Sequence, residues 1–232
     1  MNTNLIYTFL RNIAANNNRD WFHAHRDEYD AARTSFGADI ERAIAKIAEF
    51  DASIAHLTLK DVTYRFNRDT RFSPDKAPYK RHFCAYIAAH GRKALHGGYY
   101  IHMEPDNCLL ACGTYWLPTN ILTSCRNEIM GNIDEWRNIV ENEQFVRFFG
   151  KPAEGEWGAD KGFGIEHLKT CPSGFPRDYE FIDYLRMKDY CCWKKVPDTF
   201  FDNPHWIDEA IKVLKVGKPM IDFINNVVDD YE

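Results

Sequence analysis

The feature that most constrains this fold is a change of apolar period along the chain. Leu5, Ile6, Phe9, Leu10 and Ile13 recur at helical spacing, as do Trp21, Phe22, Tyr29, Phe36, Ile40, Ile44 and Ile47. From residue 82 onward the period falls to two. Phe83, Ala85 and Ile87 alternate with His82, Cys84 and Tyr86. After Gly97-Gly98, Tyr99, Ile101 and Met103 alternate with Tyr100, His102 and Glu104. Alternation sends successive side chains to opposite faces of a strand, whereas helical spacing gathers them on one stripe. Pro105-Asp106-Asn107 reads as a turn and Cys108 to Tyr115 as a return strand. The expectation is an α+β fold. An antiparallel meander of three or more strands lies mid-chain, packed against N- and C-terminal helices, in a single domain over residues 1–232.

The boundaries follow from local chemistry. Thr3 and Asn4 are placed to cap the first helix, and Asn16-Asn17-Asn18 ends it. A second helical stretch runs from Asp20 to Phe50, with Gly37 as the expected break. Val62 to Phe66 reads as extended. Pro118 to Phe149 reads as helical, with Pro118 in the first turn and Gly131-Asn132 dividing two helices. The glycine-rich residues 151–164 read as a loop, Pro176 to Met187 as a helix and Tyr190 to Val196 as a strand. Two final helices are expected, from Pro204 to Val216 and from Pro219 onward.

Composition narrows the class. The chain has 232 residues, 45% of them apolar, enough for a core without a disulfide or metal staple. With 29 Lys+Arg against 34 Asp+Glu the net charge is −5, which argues against a generally basic nucleic-acid binder. Seven cysteines, an odd number with no leader segment before them, point to reduced thiols and a cytoplasmic location. No run of about 18 apolar residues is present, so no membrane partner is expected.

The average charge conceals a local excess. Residues 65–81 hold six basic side chains (Arg65, Arg68, Arg71, Lys76, Lys80, Arg81) and two acidic ones (Asp69, Asp75). The segment is therefore +4 and the remainder −9. Two prolines stiffen its middle, and Phe66, Phe72 and Tyr79 are placed to anchor it. A held loop with several cations makes a preorganised anion site: Arg offers a fork of donors and Lys a point charge.

This segment also carries a resemblance. The run Arg68-Asp69-Thr70-Arg71-Phe72-Ser73-Pro74-Asp75-Lys76-Ala77-Pro78-Tyr79-Lys80 resembles the domain-of-unknown-function 2461 family of bacterial and fungal proteins. So do Phe9-Leu10, Asn16-Asn17, Arg19, Trp21-Phe22, Arg26 and Tyr29 near the N-terminus. Pro172-Ser173-Gly174-Phe175 and the hairpin Tyr99 to Pro118, with Gly113, add to it. The resemblance covers roughly residues 5–215. It implies a shared fold and site, and supplies no reaction and no catalytic residue.

Three functional readings compete. The first is a pocket for a phosphate- or carboxylate-bearing small molecule. Arg68, Arg71, Lys76 and Lys80 hold the anion, Asp69 orients an arginine, and Tyr79 donates its hydroxyl. His102 joins this candidate set from the strands. The second is a non-catalytic module for a protein or nucleic acid, the latter disfavoured by the net charge. The third is a structural ion-pair motif with Arg68, Asp69 and Arg71 buried and paired. Arg65, Arg81, Arg92 and Lys93 read as surface charges, and a minority reading brings Arg26 to the loop as a further anion donor.

Other chemistry is weaker. If the strands pair, His82, His102 and Glu104 converge, as acid–base groups or as metal ligands. The simpler reading, adopted here, is a half-solvated sheet face. Neither Cys-x-x-Cys nor His-Glu-x-x-His occurs, so no metal site is expected. Gly-x-Ser-x-Gly and nucleotide-binding glycine motifs are also missing, Ser173 has no base beside it by spacing, and no cofactor is indicated. Whether the protein is an enzyme, and its oligomeric state, stay open at this level.

Overall fold

A computed structural model describes residues 1–152 and 158–231. The chain opens with α1 (Thr3–Ala15), α2 (Arg19–Ala24) and α3 (Arg26–Ala48), a short 3-10 turn at Ala52–Ile54, and α4 (Leu59–Val62). Strands β1 (Phe83–Ala88), β2 (Gly98–Met103) and β3 (Cys108–Thr114) follow, then α5 (Thr119–Gly131), α6 (Ile133–Val140) and α7 (Glu143–Phe149). The rest is β4 (Lys161–Phe163), α8 (Ile182–Arg186), β5 (Tyr190–Val196), a 3-10 turn at Asp198–Asp202 and α9 (Trp206–Val228). The sheet is antiparallel throughout, in the order β1-β2-β3-β5-β4. The α+β expectation and the central meander are observed.

Asparagines punctuate the N-terminal helices. The side chain of Asn2 accepts from Leu5 N–H at 3.1 Å, and that of Asn18 accepts from Trp21 N–H at 2.9 Å. The break expected at Gly37 falls instead at His25. The His25 ring bonds the Trp21 carbonyl at 2.8 Å and stacks on the Trp21 ring at 3.9 Å, which closes α2. Gly37 lies inside α3, where a Cβ would come within 2.6 Å of the Leu59 side chain. Its role there is packing.

Other expectations also shift. The extended stretch from Val62 begins inside α4, whose start is fixed by the Asp61 carboxylate accepting from the Thr58 N–H (2.9 Å) and hydroxyl (2.6 Å). Only Thr63 bridges to the sheet, at Ala85. The 151–164 loop contains β4, and residues 153–157 of it lie outside the described residues. The helix expected from Pro176 is confined to α8, because residues 176–182 form consecutive i,i+3 turns. The two final helices are one. A proline inside a helix costs about 3 kcal/mol. Leu214, Met220, Ile221 and Ile224 are buried on both sides of Pro219, and each such side chain contributes about 1.5–3 kcal/mol. The apolar stripe outweighs the proline and α9 runs through.

The helices cover one face of the sheet only. Ala85, Ile87, Tyr99, Ile101, Leu110 and Cys192 point into the main core with side chains from α1, α3, α5 and α9. Gly217 of α9 lets that helix approach β3, for a Cβ there would be 2.6 Å from the Cys112 sulfur. On the opposite face Leu109, Ala111, Cys191 and Trp193 form a small separate cluster against Tyr100 and Ile165. That face holds the cavity described next. No helix among the described residues is long and apolar enough to cross a membrane.

Candidate functional site

Residues 65–81 leave the body as a loop closed at its base. Asn67 bridges Tyr79, Arg68 N–H donates to the Pro78 carbonyl at 2.8 Å, and Lys80 N–H donates to the Phe66 carbonyl at 3.0 Å. Asn17 clamps this base with its carboxamide. Its Nδ2 donates to the Tyr79 carbonyl and its Oδ1 accepts from Tyr79 N–H, both at 3.0 Å. Phe66 and Tyr79 are buried in an aromatic cluster, with Phe22 stacked on Tyr79 at 4.1 Å and Phe66 against Tyr29 at 5.0 Å. The N-terminal and central segments of the family resemblance meet here. Phe72, expected as a third anchor, is 93% exposed at the loop tip.

Within the loop, most cations are engaged by the loop itself. Arg68 donates to Asp75 at 2.7 Å and to the Ala77 carbonyl at 3.1 Å. Arg71 makes a fork to Asp69, at 3.0 and 2.7 Å, and Lys76 donates to the Thr70 carbonyl at 3.0 Å. Arg68, Asp69, Arg71 and Lys76 therefore do not converge on a common point. Arg71 is paired but 76% exposed in its side chain, so the expected burial of this pair is overturned. Arg26 pairs with Asp30 at 3.0 Å and lies over the Phe22 and Tyr29 rings. Tyr79 sits in the core.

Lys80 is placed differently. It lines a cavity of about 580 Å³ on the open sheet face, together with His82, Cys84, Tyr86, Tyr100, Trp193, Tyr115, Trp116, Arg92 and Lys93. The walls are mostly apolar and aromatic, with cations near Tyr64. The Lys80 ammonium lies 4.9 Å from the centre of the Tyr64 ring and the Arg92 guanidinium 6.0 Å from it. Among the described residues no carboxylate forms an ion pair with Lys80. Burial pushes its ammonium pKa down, and raises that of Tyr64 to about 12. Arg92 and Lys93, read from sequence as surface charges, belong to this cavity.

The strand alternation brings a second group together. Cys84 stands opposite His102 and Tyr86 opposite Tyr100 in the β1–β2 register. His82 packs on His102 with ring centres 4.4 Å apart. Tyr100 Oη lies 2.8 Å from His102 Nδ1, and His102 Nε2 lies 3.2 Å from the Glu104 carboxylate. A carboxylate accepts only, so Nε2 carries the proton and Nδ1 accepts from the tyrosine. Asn107 donates to the same Glu104 oxygen at 2.8 Å. Burial acts to raise the Glu104 pKa, but these hydrogen bonds outweigh it and hold it low. Burial first, and His102 second, push His82 down to about 3. These side chains form a connected set, of which His82, Cys84 and Tyr100 line the cavity. His82, Cys84 and His102 each offer a ligand atom within 4.8 Å of the others, as do His90, His96 and Asp229 elsewhere.

Tyr86 anchors the far side of the cavity, its hydroxyl donating to the carbonyls of His96 (2.7 Å) and Gly113 (2.9 Å). Gly113 has φ +101°, and a Cβ there would lie 1.9 Å from the Tyr190 carbonyl oxygen. Only glycine fits.

The fold and site define an α+β protein with a ligand-sized cavity on the uncovered face of its sheet. The chain belongs to the family of conserved hypothetical proteins DUF2461, which matches residues 6–223. No curated protein and no solved structure matches it.

Proposed function

We propose that the cavity binds a small molecule with an apolar or aromatic body and an anionic group, phosphate or carboxylate. Lys80 and Arg92 receive the anion beside Tyr64, and the aromatic walls hold the body. The observation that supports this most is the coincidence of cation and cavity. About 580 Å³ is the size of a metabolite site, and Lys80 stands in its wall with no carboxylate partner among the described residues. Arg68, Asp69, Arg71 and Lys76 are read as engaged within the loop and not on the anion, since Arg71 pairs with Asp69, Arg68 with Asp75, and Lys76 with the Thr70 carbonyl.

A ligand that binds only the folded state raises its stability, by about 2.7 kcal/mol at a concentration 100 times Kd. A thermal-shift screen with phosphate- and carboxylate-bearing aromatic and aliphatic compounds therefore tests the reading. Stabilisation by the anionic compounds and not by their neutral analogues is expected. Equal response to both, or to neither, contradicts it.

A further inference from the structure

We propose that His82, Cys84 and His102 form a three-ligand site for a zinc-class divalent metal, with a fourth position open to the cavity. The proposal stands on side-chain geometry and holds whether or not the cavity takes an anion.

The sheet register builds the site. His82 immediately precedes β1, two residues from Cys84, and His102 is the direct partner of Cys84 on β2. Their ligand atoms lie within 4.8 Å of one another. Ligands about 2.0–2.3 Å from a tetrahedral zinc sit about 3.3–3.7 Å apart, so a modest rotation of the half-buried His82 closes the set. Two imidazoles and a thiolate suit zinc, cobalt or copper, and do not suit calcium or magnesium, which take oxygen.

The surroundings are those of a metal-binding imidazole. The Glu104 carboxylate takes the Nε2 proton of His102 in a hydrogen bond and is itself fixed by Asn107. This leaves Nδ1 as the ligand atom and orients the ring, the usual carboxylate–histidine–metal relay. In the structure the Tyr100 hydroxyl bonds His102 Nδ1 at 2.8 Å, so the proposed ligand atom faces a polar hydrogen whose place a cation could take. On binding, the Cys84 thiol releases its proton to solvent as the sulfur–metal bond forms, and no electron is transferred. His82 and Cys84 both line the cavity, which places the remaining coordination position on the ligand side. The second cluster, His90, His96 and Asp229, lacks a thiolate, and two of its three residues are exposed.

The experiment is a cobalt(II) titration of the reduced, metal-stripped full-length protein. A tetrahedral d–d spectrum with a thiolate-to-cobalt charge-transfer band is expected. Cys84→Ala should abolish the charge-transfer band. His82→Asn, at a half-buried position that leaves the core intact, should lower affinity. Glu104→Gln should lower it by about 10- to 100-fold. No tetrahedral spectrum in the wild type overturns the proposal. So does a charge-transfer band that persists in Cys84→Ala, since six other cysteines are present. If Cys84→Ala does not fold, His82→Asn decides: unchanged affinity there overturns the site.

Discussion

At the scale of single residues, the loop at 65–81 is held by its base and not by its tip. Asn17 supplies two hydrogen bonds to the Tyr79 backbone. Asn17→Ala should destabilise the protein by about 1–3 kcal/mol in urea unfolding, because it leaves backbone groups unpaired. Phe66 is buried in the aromatic cluster and Phe72 is in solvent. Phe66→Ala should cost about 3–5 kcal/mol and Phe72→Ala should leave the midpoint unchanged. Equal effects would contradict this placement. Gly113→Ala should be severely destabilising by the same assay, since both its positive φ and the Tyr190 carbonyl exclude a Cβ. The sequence motif marked Phe66, Phe72 and Tyr79 alike as anchors. What separates them is which chain segment comes back to cover them, and a linear motif does not carry that.

At the scale of elements, the strands were the most legible part. The alternation over residues 82–104 names the residues that share a face, and the register puts those residues together. Which of them meet across the pair needs the register itself. Three-residue β4 is too short to show a period, and its Gly162 is a glycine because the Trp193 ring lies where a Cβ would be. Pro219 misled in the other direction. Proline is a local stop signal, but the stripe buried along α9 is a tertiary quantity and it dominates. Pro219→Ala should therefore raise stability, by up to about 3 kcal/mol, as a higher thermal midpoint. A lowered midpoint would mean that the proline sets a kink the packing requires.

At the scale of the whole molecule, the net charge of −5 is uneven, and under the proposed function the unevenness matters where a cation meets the cavity. Composition located the basic segment. It did not separate Lys80, in the cavity wall, from Arg68, Arg71 and Lys76, which donate to Asp75, Asp69 and the Thr70 carbonyl of the loop itself. Nor did it bring in Arg92 and Lys93, which line the cavity from the β1–β2 connection. The most direct test is the affinity of the best anionic compound from the screen for three proteins: wild type, Lys80→Met and Arg71→Ala, by calorimetry. A charge-assisted hydrogen bond is worth about 1.5–3 kcal/mol, so Lys80→Met should weaken binding by about 10- to 100-fold while Arg71→Ala leaves it unchanged. Loss of binding in Arg71→Ala with full affinity in Lys80→Met would contradict the account and move the anion site to the loop tip.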